Sequence, residues 1–202
     1  MIQSAGIALV VKSLLGTSPI SSLPYVLSLI SPFTFGQTTF AINMVFVVFE
    51  LLMLRRDFPA VFWLQIPVTI LFGFCIDFFM NLFTIVPDAY ALKLLLCLLG
   101  TALVALGVAG QGIADVLMLA GEAIVQAISQ VFHFEFGWVK TAFDCSLVVS
   151  AAIFSYTQLG TIEGIREGTL ISALITGSIA RFFIHHLGRV DAQGNLVFAP
   201  HL

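Results

Sequence analysis

Residues 6–19 read GIALVVKSLLGTSP. The first half is a membrane-type apolar run. The second half interrupts it with a cation (Lys12), a helix breaker (Gly16), three hydroxyls and a proline. Ser18 has the character of an N-cap and Pro19 suits the first helical position, where its missing N–H costs nothing. One helix is therefore expected to end near residue 15 and another to begin near residue 19. The same stretch also returns later in the chain. GIALV at 6–10 matches GTALV at 100–104, and Gly16 falls on Gly110 at the same offset of 94 residues.

Composition fixes the class. Of 202 residues, 59% are hydrophobic and 9% charged, whereas an ordinary soluble domain carries about 25% charge. Apolar runs of the length needed to cross a hydrocarbon core of about 30 Å recur along the chain. The expectation is an all-α, polytopic integral membrane bundle forming a single domain over residues 1–202. The net charge of −3 identifies no partner, and no basic stripe points to nucleic acid. Cys75, Cys97 and Cys145 lie in apolar segments without CxxC spacing, which makes them packing residues. The N-terminus lacks the basic region of a signal peptide, so no cleavage is expected.

Polar punctuation divides the chain into eight segments, at about 2–15, 18–31, 35–54, 58–83, 89–109, 112–131, 136–159 and 165–187. Segment 18–31 holds two prolines and five serines, while 112–131 carries Asp115, Glu122 and Gln126. These two read as broken or re-entrant helices, which a bilayer tolerates only when protein or a watery cavity covers them. The other six read as transmembrane spans.

Two further matches extend the repeat. FGQTTFAINMVFVV from Phe35 aligns with FGWVKTAFDCSLVV from Phe136, pairing Asn43 with Asp144, and GFCIDFF (73–79) aligns with GSIARFF (177–183), pairing Asp77 with Arg181. Repeat one covers about 1–83 and repeat two about 89–187, followed by a short tail at 188–202. With three crossings per half, the copies must run in opposite orientations. That is the inverted-repeat plan of many secondary transporters, whose site lies near the bilayer midplane. Arg55 and Arg56, with Lys140 and Arg189, place both termini inside by the positive-inside bias, and Arg166 falls on the other side. By the offset of 94, the first helix would begin about five residues before Met1, so the expectation is either a short helix that snorkels or a chain lacking part of the usual N-terminus.

Charges inside spans are costly and are functional suspects. Asp77 and Arg181 occupy equivalent positions, either as opposite walls of one cavity or as a structural pair. Asp144 could couple an ion to transport with Asn43 as its counterpart, or pair with Lys140 one turn earlier. Glu50 reads as an interfacial carboxylate. His185-His186 lack companion ligands, so no metal is expected, and no nucleophile elbow, Walker A, HExxH or GxGxxG motif points to an enzyme or a cofactor. At the first break, Lys12, Gly16, Thr17 and Ser18 surround a free helix N-terminus, a natural anion site. The counterpart GQGIAD (110–115) is expected to break the chain with Asp115 in the first turn of the next helix. There a carboxylate would satisfy the dipole from within.

GIALVVKSLLGTSPISSLPYVLSL, TFGQTTFAINMVF, LQIPVTILFGFCIDFF and GIREGTLISALITGSIARFF together resemble the YczE/YyaS/YitT family of bacterial integral membrane proteins, over Gly6 to about Phe183. The resemblance implies a multi-pass protein of the bacterial cytoplasmic membrane. It implies no substrate and no catalytic residue. A more distant similarity to the substrate-capturing subunits of energy-coupling-factor vitamin transporters is a second resemblance. The expected function is a secondary transporter or exporter of a small, anionic or zwitterionic solute. That solute would be bound by Lys12, Gly16, Thr17, Ser18, Asp77 and Arg181, with Asp144 and Asn43 as coupling residues. The alternatives are a non-transporting membrane factor that regulates or scaffolds a partner, a substrate-capturing subunit of a larger transporter, and a lipid-modifying enzyme. The expected surroundings are the lipid bilayer and a small-molecule solute, with a second copy or another membrane protein as an open possibility.

Overall fold

Two helix starts carry a clear local cause. Ser18 adopts extended backbone angles (φ −68°, ψ 149°) before Pro19, which opens helix α2 (Pro19–Ile30). Thr34 caps α3 (Phe35–Leu54) through a full capping box with Gln37, satisfying two otherwise orphaned donors. The remaining elements are α1 (Ile2–Lys12), α4 (Gln65–Leu82), α5 (Tyr90–Ala114), α6 (Ala120–Phe132), α7 (Phe136–Leu159) and α8 (Glu167–Leu187). Gly160 closes α7 in the left-handed region (φ 71°), which a glycine adopts without strain. This computed structural model describes residues 1–55, 63–114 and 118–187, and all eight elements among them are helices.

Each expected segment holds one helix, although α1 stops at Lys12 rather than residue 15, positions 58–62 of the fourth segment lie outside the described residues, and one expected break is displaced. Helix α5 runs without interruption through Gly110, Gln111 and Gly112 to Ala114, so GQGIAD does not open a break at Gly110. Two glycines cost about 1 kcal/mol each relative to alanine, which a long apolar helix packed on two neighbours absorbs. The chain leaves helical geometry only after Ala114, and α6 starts at Ala120 with Glu122, not Asp115, in its first turn. Asp115 itself lies outside the described residues.

Among the described residues, four of the six expected spans are helices long and apolar enough to cross a membrane: α3, α4, α5 over Tyr90–Gln111, and α7 over Gly137–Leu159. Their outward faces are greasy, with Phe74 69% and Trp138 74% exposed, while Gln3, Ser4, Thr17, Ser18, Asn43, Glu50, Gln65 and Glu122 are buried. Polar inside and apolar outside is the reverse of a water-soluble fold. The molecule is a helical bundle of membrane type.

Small residues set the packing, since dispersion at close approach is what joins helices in lipid. α1 packs against α5 and α4, α5 against α8, α2 against α3 and α7, α3 against α4 and α6, and α6 against α7. At the α1–α5 crossing, a Cβ on Gly6 would lie 2.6 Å from Gly100 O and 2.7 Å from Val104 N, and one on Gly100 would lie 2.8 Å from Gly6 O and 2.8 Å from Val10 N. Gly107 at the far end of α5 meets Gln3 near the start of α1. The two helices therefore run antiparallel. A second close crossing sets Gly36 of α3 against Gly73 of α4. Between the crossings lie two main cores: Ile7, Val11, Phe35, Ile76 and Val104 join α1, α3, α4 and α5, and Phe46, Val47, Ile124, Val125 and Leu147 join α3, α6 and α7.

Candidate functional site: a cleft beside buried amides and carboxylates

The α1–α2 break is a closed junction. Gly16 sits at φ 113°, a conformation that glycine adopts freely and other residues rarely. The start of α8 covers the turn: Thr17 N–H donates to Thr169 Oγ1 (3.2 Å), Gly168 N–H donates to Leu15 O (2.8 Å), and Arg166 Nη1 donates to Leu14 O (3.2 Å). A Cβ at Gly16 would stand 2.5 Å from Thr169 Oγ1. Thr17 and Ser18 are buried, with Ser18 Oγ donating to Ser21 Oγ at 3.0 Å. Of the residues predicted to bind solute here, Gly16, Thr17 and Ser18 thus line a shut joint, and Lys12 stands half-buried at its edge.

Asp77 is engaged elsewhere. Its Oδ2 accepts from the Thr34 hydroxyl (2.6 Å) and its Oδ1 from Gly36 N–H (2.7 Å). The carboxylate of α4 therefore caps the start of α3, where a negative charge meets the positive dipole end. This needs the Gly36–Gly73 crossing, which brings the α3 terminus within reach of α4. Val11 and Ile76, the neighbours of Lys12 and Asp77, share one core, so the two predicted site segments occupy the same end of the bundle. The Arg181 side chain and both His185 and His186 side chains lie outside the described residues, although their backbone belongs to α8.

The expected coupling residues behave as a local pair and a local anchor. Lys140 Nζ bonds Asp144 Oδ1 at 2.8 Å, one helical turn apart and partly exposed. Asn43 is buried and returns its amide to Thr39 O (2.8 Å) on its own helix.

A polar group that the sequence reading did not assemble lies where α1, α5 and α6 meet. Gln111 Nε2 donates to Gln3 Oε1 at 2.7 Å, and Gln111 Oε1 accepts the Leu119 N–H at 2.9 Å, holding the start of α6 against α5. The Gln3 amide also stands beside the buried Glu122 carboxyl, and Lys140 and Asp144 lie within its electrostatic reach. Gly121 packs directly on Ile20, so the first turns of α2 and α6 touch, with Asn43 alongside. Above Gln3 and Gln111 opens a cleft of about 500 Å³, walled by Val68, Leu71, Phe72 and Cys75 of α4 and by Leu106, Gly107 and Gly110 of α5. Its volume is in the range that holds small organic ligands, and an apolar wall with a few placed polar groups is their usual setting. The two glutamines escaped notice because an isolated Gln in a greasy helix carries no motif. Only the antiparallel crossing brings positions 3 and 111 together.

Glu50, expected at the interface, is fully buried between α3 and the start of α4, beside Gln65. Among the described residues no group of three or more His, Cys, Asp or Glu side chains is placed to hold a metal.

Residues 1–185 match the model of a family of unknown function, DUF6198, and the chain belongs to that family. No curated protein and no solved structure matches the chain.

Proposed function

We propose that this protein is a small secondary transporter or exporter, built from two inverted copies of a four-helix unit, and that it carries a small anionic or zwitterionic solute across the bacterial cytoplasmic membrane. One observation carries the reading. The α1–α5 crossing is reciprocal: Gly6 meets Gly100 and Val104, while Gly100 meets Gly6 and Val10, and each partner is the repeat equivalent of the other. Equivalent residues meeting across antiparallel helices is what a two-fold axis perpendicular to those helices produces, and such an axis lies in the membrane plane.

The wider packing supports it. Exchanging α1 with α5, α2 with α6, α3 with α7 and α4 with α8 turns the α1–α4 contact into α5–α8, α2–α3 into α6–α7 and α2–α7 into α6–α3, all of which occur. The difference between halves lies in the second neighbour: α4 packs on α3 as well as on α1, whereas α8 packs on α2 as well as on α5. That difference falls at the cleft. Gly16 is clamped against Thr169 and Arg166, while its equivalent Gly110 borders the cleft and a Cβ there would meet nothing within 4 Å. One half is shut and the other open, as expected for a single state of an alternating-access carrier. On this reading the solute enters beside Gln3 and Gln111. The start of α2, with Pro19 at its head and no acidic residue in its first turn, supplies the positive end for an anionic group when the Gly16 joint opens.

The test is counterflow in proteoliposomes with a panel of labelled carboxylates, amino acids and phosphorylated metabolites. Uptake should saturate for one class and fall at least tenfold in Gln111→Leu with insertion unchanged. Properly inserted protein that moves no member of the panel, or a Gln111→Leu variant that transports normally, would refute the assignment.

A further inference from the structure

A hydrogen-bond relay of fixed direction leads from the cleft to a buried carboxyl group. The Leu119 N–H can only donate, so the oxygen of the Gln111 amide must face it (2.9 Å). Gln111 Nε2 is then the atom that reaches Gln3 Oε1 (2.7 Å). That bond in turn leaves Gln3 Nε2 for the Glu122 carboxyl, to which the Gln3 side chain is hydrogen-bonded. Gln3, Gln111 and Leu119 all line the cleft. Glu122, in the first turn of α6, is buried one bond further on.

The charges around Glu122 do not balance. Among the described residues, the charged side chains that act on it are Lys140 and Asp144 of α7, and Lys140 already bonds Asp144 at 2.8 Å. The side chains that face this turn of α6 from α1, α2 and α3 are Gln3, Ile20 and Asn43, all of them neutral. Two carboxyl groups therefore share one lysine. A net charge buried in a bundle is costly, and the trio is neutral only when one carboxyl holds a proton. Asp144 keeps the lysine and is partly exposed, whereas Glu122 is buried, so the proton belongs on Glu122. The positive end of α6 offsets about half a charge at that position, so the carboxylate can form there as well.

We infer that Glu122 is a proton-binding site of the cleft and that one proton moves with each solute, in the same direction. The step is a simple protonation: the Glu122 carboxylate takes a proton from water, becomes a neutral acid and later returns it. A charged Glu122 repels an anionic group held at the Gln3 and Gln111 amides, and protonation removes that repulsion, so the anion and the proton enter together. This coupling role rests on the transport reading given above, while proton binding stands independently of it.

The full chain in lipid vesicles is titrated with pH while the infrared absorption of protonated carboxyl groups is followed. Glu122→Gln keeps the shape and an acceptor for Gln3, and part of the titrating absorption should be missing from it. Asp144→Asn frees Lys140 to balance Glu122, so in that variant the same part should titrate lower by about one pH unit or more. A Glu122→Gln spectrum equal to that of the unsubstituted protein at every pH overturns the proposal, as does an Asp144→Asn titration that does not move. Should Glu122→Gln fail to insert, the Asp144→Asn titration decides alone. In proteoliposomes, an imposed pH gradient should drive accumulation of the transported solute by about tenfold per pH unit, the free energy of one proton, and should have no effect on Glu122→Gln. Gradient-driven accumulation that survives in Glu122→Gln also overturns the proposal. A Glu122 titration as described without solute transport would sink the carrier reading and leave the proton site standing.

Discussion

Adding one methyl group to either helix of the α1–α5 crossing should part both. A Cβ on Gly6 would lie 2.6–2.9 Å from Gly100 O, Val104 N and Val104 Cγ2, and one on Gly100 would lie 2.8 Å from Gly6 O, Val10 N and Val10 Cγ2. Ordinary contact begins at 3.4 Å, and the nearest atoms are backbone, which cannot swing aside. Gly6→Ala or Gly100→Ala must therefore separate α1 from α5 by about 0.6–0.8 Å, a gap that forfeits a quarter to a half of the dispersion well for each facing atom pair. Each single substitution should cost about 1–3 kcal/mol, and the two costs should agree within about 1 kcal/mol because the contacts are reciprocal. The double variant is the sharper test. One separation relieves both methyl groups, so its cost should fall below the sum of the singles by about 0.5–3 kcal/mol. Cys97 at 0% and Cys75 at 4% exposure serve as internal probes. On a Cys145→Ser background, their labelling by a thiol reagent, followed against denaturing detergent, reports unfolding. Singles that each cost less than about 0.5 kcal/mol, or a double variant equal to their sum, would refute the shared crossing.

Asp77→Asn should destabilise by about 0.5–2 kcal/mol, because the α3 start loses its charged acceptor, and should leave transport rates unchanged. Lost transport at full stability would return Asp77 to the solute site. Thr169→Ala removes the acceptor of the buried Thr17 N–H and should cost about 1–3 kcal/mol in the same labelling assay, with Thr169→Ser restoring most of it. Gln111→Leu orphans both Gln3 and the Leu119 N–H and should cost about 1–3 kcal/mol, besides its effect on counterflow. Asp144→Asn breaks a partly exposed pair one turn apart and should change stability by no more than about 0.5 kcal/mol. A large transport defect in that variant would therefore mark a coupling role rather than a structural one.

The eight-segment reading held best where a boundary has a local cause. Ser18-Pro19 and the Thr34–Gln37 capping box fix helix starts whatever surrounds them. It failed at GQGIAD, because glycine in a helix costs little enough that packing on α1 and α8 overrides it. The site was less legible. Asp77 was singled out correctly as an unusual charge, but its partner is a helix terminus 41 residues earlier, and a residue's sequence neighbours say nothing about which distant N–H groups it meets. Glu50 resembled an interfacial residue because it precedes Arg55 and Arg56. It is nevertheless fully buried, with Gln65 of α4 beside it.

By itself the sequence determined the membrane class and most of the helical elements, since hydropathy and caps are local quantities. Tertiary structure alone decided which helix break is closed over by α8, which carboxylate caps a helix, and which polar atoms are buried without partners. Those outcomes depend on where helices cross, and a crossing is set by the joint fit of residues as far apart as Gly6 and Gly100 or Gly36 and Gly73. No single stretch of sequence contains that fit.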